Sequence, residues 1–168
     1  MHQSPRVEPL TDAEPGSWDR VLPLLEAEPG TSWLTVTGKD GPPHTRPLLV
    51  VWASGRPCFA SGEDTAKARL LSVSPQASLA FQAAGLDVVV EGTVQRVKEH
   101  GRVRRVADAY AKAYGWAPQA EGALLTGAEG APTAGPPPYA VYTVVPTTVY
   151  AFPSDEAPCG PTRWRFDP

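Results

Sequence analysis

Twenty prolines and fifteen glycines are spread through 168 residues, and their positions constrain the fold more than any other feature. Proline removes a backbone donor and fixes φ, while glycine frees the chain to turn, so each marks a place where a regular element stops. Cut at these points, the sequence falls into short segments, most of them of strand length. The densest cluster, Gly127 to Pro138 (GAEGAPTAGPPP), has no apolar periodicity. It predicts a mobile surface loop rather than a domain linker, because too little chain follows it to fold alone. With 42% apolar residues there is enough to bury one core. A single domain over residues 1–168 is expected, with residues 1–15 as a polar N-terminal tail.

Between the breaks, the periodicities sort the segments. Ser17 to Ala27 places Trp18, Val21, Leu24 and Leu25 on one helical face despite Pro23. Ser32–Thr37 and His44–Trp52 read as a hairpin around KDGPP, and ASGR turns the chain into a third strand at Pro57–Ala60. Asp64 or Thr65 then opens a helix, AKARLLSV, that ends before Pro75. Ala77–Gln82 and Leu86–Val97 form a second hairpin in which Val88, Val90 and Val94 alternate with polar residues and Gly92 marks a bulge. Gly101–Gly115 switches to helical spacing, with Val103, Val106, Ala107, Tyr110, Ala113 and Tyr114 inward and Gly115 as C-cap. Tyr139–Phe152 is a long β-prone run interrupted at Pro146, and the tail ends in TRWRF. Five or six antiparallel strands with a helix after the third and another after the fifth predict a mainly β protein, a small barrel with a few helices.

Charge and composition narrow the partners. A net charge of −3 and no broad basic surface argue against nucleic acid and anionic membrane. No apolar stretch reaches the roughly 20 residues of a spanning helix, and the start lacks a signal peptide's basic and then hydrophobic pattern, so a cytoplasmic location is expected. Cys58 and Cys159 lie outside any CxxC spacing and His2, His44 and His100 outside any metal-ligand spacing, so no metal is expected.

Two stretches carry chemistry. In Phe59-Ala60-Ser61-Gly62-Glu63-Asp64-Thr65-Ala66-Lys67-Ala68 a strand ends, turns and opens a helix. Its first free amides, the hydroxyls of Ser61 and Thr65 and the ammonium of Lys67 suit a phosphate. The same residues also read as an ordinary capped surface helix with a solvated lysine. In HTRPLLVVW, Arg46 opens an otherwise apolar strand, where a guanidinium can fork two bonds to a phosphate or simply sit at the rim.

Taken in order, HTRPLLVVW, CFASGEDTAKARLL, SPQASLAF and DVVVEGTVQRV resemble the pyridoxamine 5′-phosphate oxidase-like, FMN-binding split β-barrel family, over about Thr31 to Trp116. TAKARLL before Ser-Pro, AYGW at the end of the Gly101–Gly115 helix and the terminal TRWRF are similar to its flavin and deazaflavin oxidoreductase branch. The resemblance implies a split barrel of about six antiparallel strands. It implies FMN, or alternatively the deazaflavin coenzyme F-420, held by Arg46, Pro47, Leu48, Ala60, Ser61, Thr65, Ala66 and Lys67, with Asp87 at the ring edge. It also implies a homodimer with the cofactor between subunits, so that Trp164 and Arg165 reach the site. Trp164 otherwise anchors the last strand. No catalytic side chain is implied: hydride passes between the cofactor and a small organic acceptor, and the protein orients both. Ala66 stands where the vitamin-converting oxidase carries a second basic residue, and RVRRVADAYAKAYGW lacks its substrate-phosphate residues. A polyglutamate tail on a deazaflavin would call for extra cations such as Lys39, Arg56 and Arg69. The alternative from a different class is a non-catalytic module that binds flavin, haem or tetrapyrrole.

Overall fold

The computed structural model describes residues 4–27, 30–131, 134–154 and 157–167. Its centre is a closed barrel of six antiparallel strands: β2 (Gly30–Val36), β3 (His44–Ala53), β4 (Arg56–Ser61), β5 (Gln76–Ala83), β6 (Leu86–Val97) and β9 (Tyr139–Pro153). Order around the barrel is β9-β4-β3-β2-β5-β6, and β6 returns to β9 to close it. Two of the hairpins are tight two-residue turns, Ser54-Gly55 and Ala84-Gly85, with positive φ at both positions of each. That left-handed pair matches the twist of the flanking strands.

Alternation along the strands builds two cores. Leu34, Val36, Phe59, Leu79, Val88, Val90 and Val149 share one cluster, closed by Val21 and Leu25 of helix α1 (Trp18–Ala27). Leu24, expected on that apolar face, lies at its margin and is exposed. Val51, Cys58, Val97 and Val141, on the other face of the strands, pack with Val103, Val106 and Tyr110 of helix α3 (His100–Tyr114). Helix α2 (Ala66–Val73) follows β4, as its Thr65 cap predicts.

The long strand β9 makes the barrel a split one. Along one edge it pairs with β6 throughout; along the other it pairs with β4 at Ala140–Thr143 and then with β10 (Thr162–Arg165) at Thr148–Ala151. The changeover coincides with a bulge, where Glu91 faces Thr148 but Gly92 faces Pro146. A Cβ on Gly92 would lie 2.2 Å from the Val145 carbonyl oxygen, so glycine there is a requirement of close backbone approach.

Two stretches carry contacts that the sequence pattern did not indicate. The polar tail contains a strand, β1 (Arg6–Pro9), hydrogen-bonded to β10 with Arg6 opposite Arg165. It was not recognisable because its partner lies at the far end of the chain. In the stretch 127–138, expected to be a mobile surface loop, the Trp116 indole N–H donates to Glu129 O, and the Tyr139 hydroxyl accepts from Ala131 N and donates to Gly135 O. Residues 132 and 133 of that stretch lie outside the described residues. Just before it a small hairpin, β7 (Gln119–Glu121) and β8 (Leu124–Thr126), adds to β9. Among the described residues no helix is long and apolar enough to cross a membrane.

Candidate functional site

The turn from β4 into α2 creates a polar pocket at the end of a strand. Ser61, buried, faces the same side as Phe59, and Thr65 is the N-cap of α2. The Thr65 hydroxyl accepts from Ala68 N (3.1 Å) and donates to Gly62 O (3.0 Å), while Ser61 Oγ lies 2.9 Å from Thr65 Oγ1. Lys67 Nζ donates to Ser61 Oγ at 3.2 Å. Burial pushes the Lys67 ammonium below its ordinary pKa. Among the described residues no carboxylate pairs with it, whereas Glu63, two residues after Ser61, is bound to Arg96 at 2.6 Å.

These groups line a cleft of about 290 Å³. One wall is Pro47, Leu48 and Leu49 of β3; another is Ala60, Ser61 and Gly62; Tyr110, Trp116 and Tyr139 form the floor, and Ala131, Gly135 and Pro136 close the far side. Among the described residues Lys67 is the only charged one lining it. The Lys67 ammonium, the Ser61 hydroxyl and the first two amides of α2, with Ala68 N already capped by Thr65, form a donor set suited to a tetrahedral oxyanion. The apolar flank of β3 leaves room for a flat organic group beside it. A larger hollow of about 450 Å³ between α1, β3 and α3 carries both Glu26 and Lys112 and has no comparable convergence of donors.

Of the residues singled out in the sequence, Pro47, Leu48, Ala60, Ser61, Thr65 and Lys67 come together in this cleft. Ala66, the exposed first residue of α2, borders it. Arg46 lies one residue before the β3 wall, but it is exposed and its guanidinium donates to Thr45 O at 2.8 Å. Asp87 is elsewhere, at the β5–β6 turn, where it accepts from the Gln82 side-chain amide at 2.7 Å. The spacing to Gly92 runs along β6, and Asp87 does not line this cleft.

Trp164 is a core residue, 0% exposed, with its indole N–H on Gly16 O (2.9 Å) and its ring against Trp18. Of its two sequence readings, the anchor describes it, since no ring face is free to stack on a ligand. Arg165 is on β10 with Glu8, 3.3 Å away. Lys39, Arg56 and Arg69 do not line the cleft. Sequence reasoning missed Leu49, Tyr110, Trp116 and Tyr139. Helical spacing marked Tyr110 as core-facing, but nothing in it told where the hydroxyl would point.

Among the described residues, no three His, Cys, Asp or Glu side chains gather to hold a metal ion, and both cysteines are free thiols. Burial raises the Cys58 thiol pKa, leaving it a poor nucleophile.

No curated protein matches in sequence. Among solved structures, a conserved hypothetical protein of Mycobacterium tuberculosis is similar at a TM-score of 0.64 and 16% identity, covering 85% of this chain and 88% of that one. A FAD-binding protein of Mesorhizobium loti is similar at 0.58 and 14%, covering 97% and 99%. A heme binding protein of Mycobacterium smegmatis is similar at 0.56 and 16%, covering 77% of this chain and 51% of that one. At such identities these likenesses establish the fold. The sequence profile of pyridoxamine 5′-phosphate oxidase matches residues 18–153, from the first residue of α1 to the last of β9. The chain therefore belongs to the pyridoxamine 5′-phosphate oxidase family.

Proposed function

We propose that the chain binds a flavin-type cofactor through its phosphate in the cleft beside α2 and works as an oxidoreductase. FMN is the first choice and the deazaflavin coenzyme the second. One observation carries this proposal: Lys67 is an ammonium held partly out of water by a hydroxyl, with no carboxylate partner among the described residues. A cation in that position is unfavourable until an anion arrives. Ser61, Thr65 and Lys67 would hold the phosphate, with Arg46 and Ala66 at its rim. Pro47, Leu48 and Ala60 would flank the chain and ring that follow it.

A bound flavin would supply hydride transfer to a small organic acceptor. The protein's own part would be to fix the phosphate and to shield the cleft from water with Trp116 and Tyr139. Residues 1–168 would act as one domain in the cytoplasm. A homodimer is part of the same proposal, supported by one uncovered indole on the strand face next to the cleft: Trp33, opposite Pro47, is 51% exposed.

Similarity to the heme binding fold supports a second possibility, a module that holds flavin, haem or tetrapyrrole without turnover. The purified protein is expected to be yellow or to take up FMN. Its reduced cofactor should reoxidise faster when a quinone, an enone or biliverdin is added. Binding without acceleration by any acceptor points to the module, and no binding of FMN or deazaflavin removes the flavin assignment.

A further inference from the structure

The cleft exists because β3 and β4 stop pairing, and a side chain stands where they stop. The β3–β4 ladder runs Ala53↔Arg56, Trp52↔Pro57, Val51↔Cys58 and then ends. In an antiparallel pair, hydrogen-bonded and non-bonded positions alternate. Leu49 and Ala60 would form the next bonded pair, with Ala60 N–H donating to the Leu49 carbonyl. Instead, the hydroxyl of Tyr110 lies between them: it accepts from Ala60 N at 3.0 Å and donates to Leu49 O at 3.0 Å.

Tyr110 is on α3, packed among Val51, Cys58, Val106 and Trp116, and 2% exposed. One turn later Tyr114 does something similar farther along β3, donating to Val50 O and bonding to the backbone of Gly30. Tyr114 does not line the cleft, and Tyr110 does.

We propose that Tyr110 is a positioning residue that sets the width of the split: its hydroxyl takes the donor and acceptor that would otherwise extend the ladder and zip the cleft shut. The wedge satisfies both backbone groups in a buried place, where leaving either unpaired would be costly. Burial raises the pKa of the phenol, so it stays protonated and able to donate to Leu49 O at every physiological pH. Leu49 and Ala60 are themselves cleft walls, so the distance between them decides what the cleft admits. The consequence for ligand affinity rests on the cleft being the flavin site; the wedge itself does not.

The test compares Tyr110→Phe with Tyr114→Phe in the full chain. In Tyr110→Phe the ladder is expected to extend. The Ala60 amide should then gain hydrogen-exchange protection approaching that of Cys58, and FMN affinity should fall roughly tenfold or more. Tyr114→Phe should lower the melting temperature similarly and leave FMN affinity unchanged, a separation that a merely structural role for Tyr110 would not produce. Unchanged Ala60 exchange in Tyr110→Phe overturns the proposal, and so does wild-type FMN affinity. If Tyr110→Phe does not fold, the wild-type protein decides: a slowly exchanging Tyr110 hydroxyl proton with a cross-peak to the Ala60 amide supports the wedge, and its absence sinks it. If the wild-type protein binds no flavin, the flavin assignment fails and the amide measurements still judge the wedge.

Discussion

Two cationic clusters sit at opposite stretches of β9, and they are built differently. On the β1–β10 side three arginines share one carboxylate: Arg6 at 2.8 Å, Arg163 and Arg165 all reach Glu8. Partial desolvation works to raise the Glu8 pKa, but the Arg163 and Arg165 bonds outweigh it and hold the carboxyl below its ordinary value. On the β4–α2 side one lysine meets only a hydroxyl, and burial lowers its pKa too, which for an ammonium disfavours the charged form where the arginine bonds at Glu8 favour it. The first cluster carries its own counter-ion and ties two short strands together. The second has no counter-ion among the described residues, which is the difference the phosphate-holding role proposed for Lys67 rests on.

The largest effect expected comes from the hinge between the two stretches. Gly92→Ala would drive a methyl into the Val145 carbonyl and should cost about 2–3 kcal/mol in a denaturant melt, weakening both clusters at once. Next, Lys67→Ala should weaken FMN binding by about 1.5–3 kcal/mol in a fluorescence titration, with the melting temperature unchanged or slightly raised. A lowered melting temperature with intact affinity would mean that the lysine belongs with the first kind of cluster.

Glu8→Gln should do the reverse, lowering the melting temperature by about 1–3 °C and sparing affinity. Because the Glu8 pKa is depressed in the folded chain, its contribution is present above the ordinary 4.5 and lost as pH falls through the folded value. The variant should therefore lose less stability on acidification than the wild type. Smallest is the alkaline counterpart. Lys67 has a folded pKa below its ordinary 10.5, so between the two values the unfolded chain binds the extra proton, and ligand-free stability should rise with pH across that window. Lys67→Met should flatten the rise in a series of melts.

Much of this was legible in the sequence because it is local. The helix start at Thr65, the C-cap at Gly115, the Ser54-Gly55 turn and the Gly92 bulge are each specified by a few neighbouring residues, and each is where the pattern puts it. The gathering of Ser61, Thr65 and Lys67 follows from the same few residues. What escaped depends on partners far along the chain. β1 is a strand only because β10 is beside it, and the 127–138 stretch is held only because Tyr139 and Trp116 reach it. Trp164 is suggested by its stacking ring and Asp87 by its spacing from Gly92; Trp164 is buried in the core and Asp87 sits at the β5–β6 turn, so neither lines the cleft of the single chain. Tyr110 shows the limit most clearly, since periodicity reports which way a helix face points and is silent on the carbonyl waiting opposite.

The many partners of β9 also bear on how the molecule is made. That strand touches β4, β6, β8 and β10, and pairs with residues as distant as Cys58. During synthesis, β4 and β6 must wait with bare edges until residues 139–153 leave the ribosome. Closure by so late a segment favours slow folding, with an interval in which unsatisfied strands invite association. Recovery of native protein on refolding should therefore fall with concentration more steeply than its stability alone would suggest.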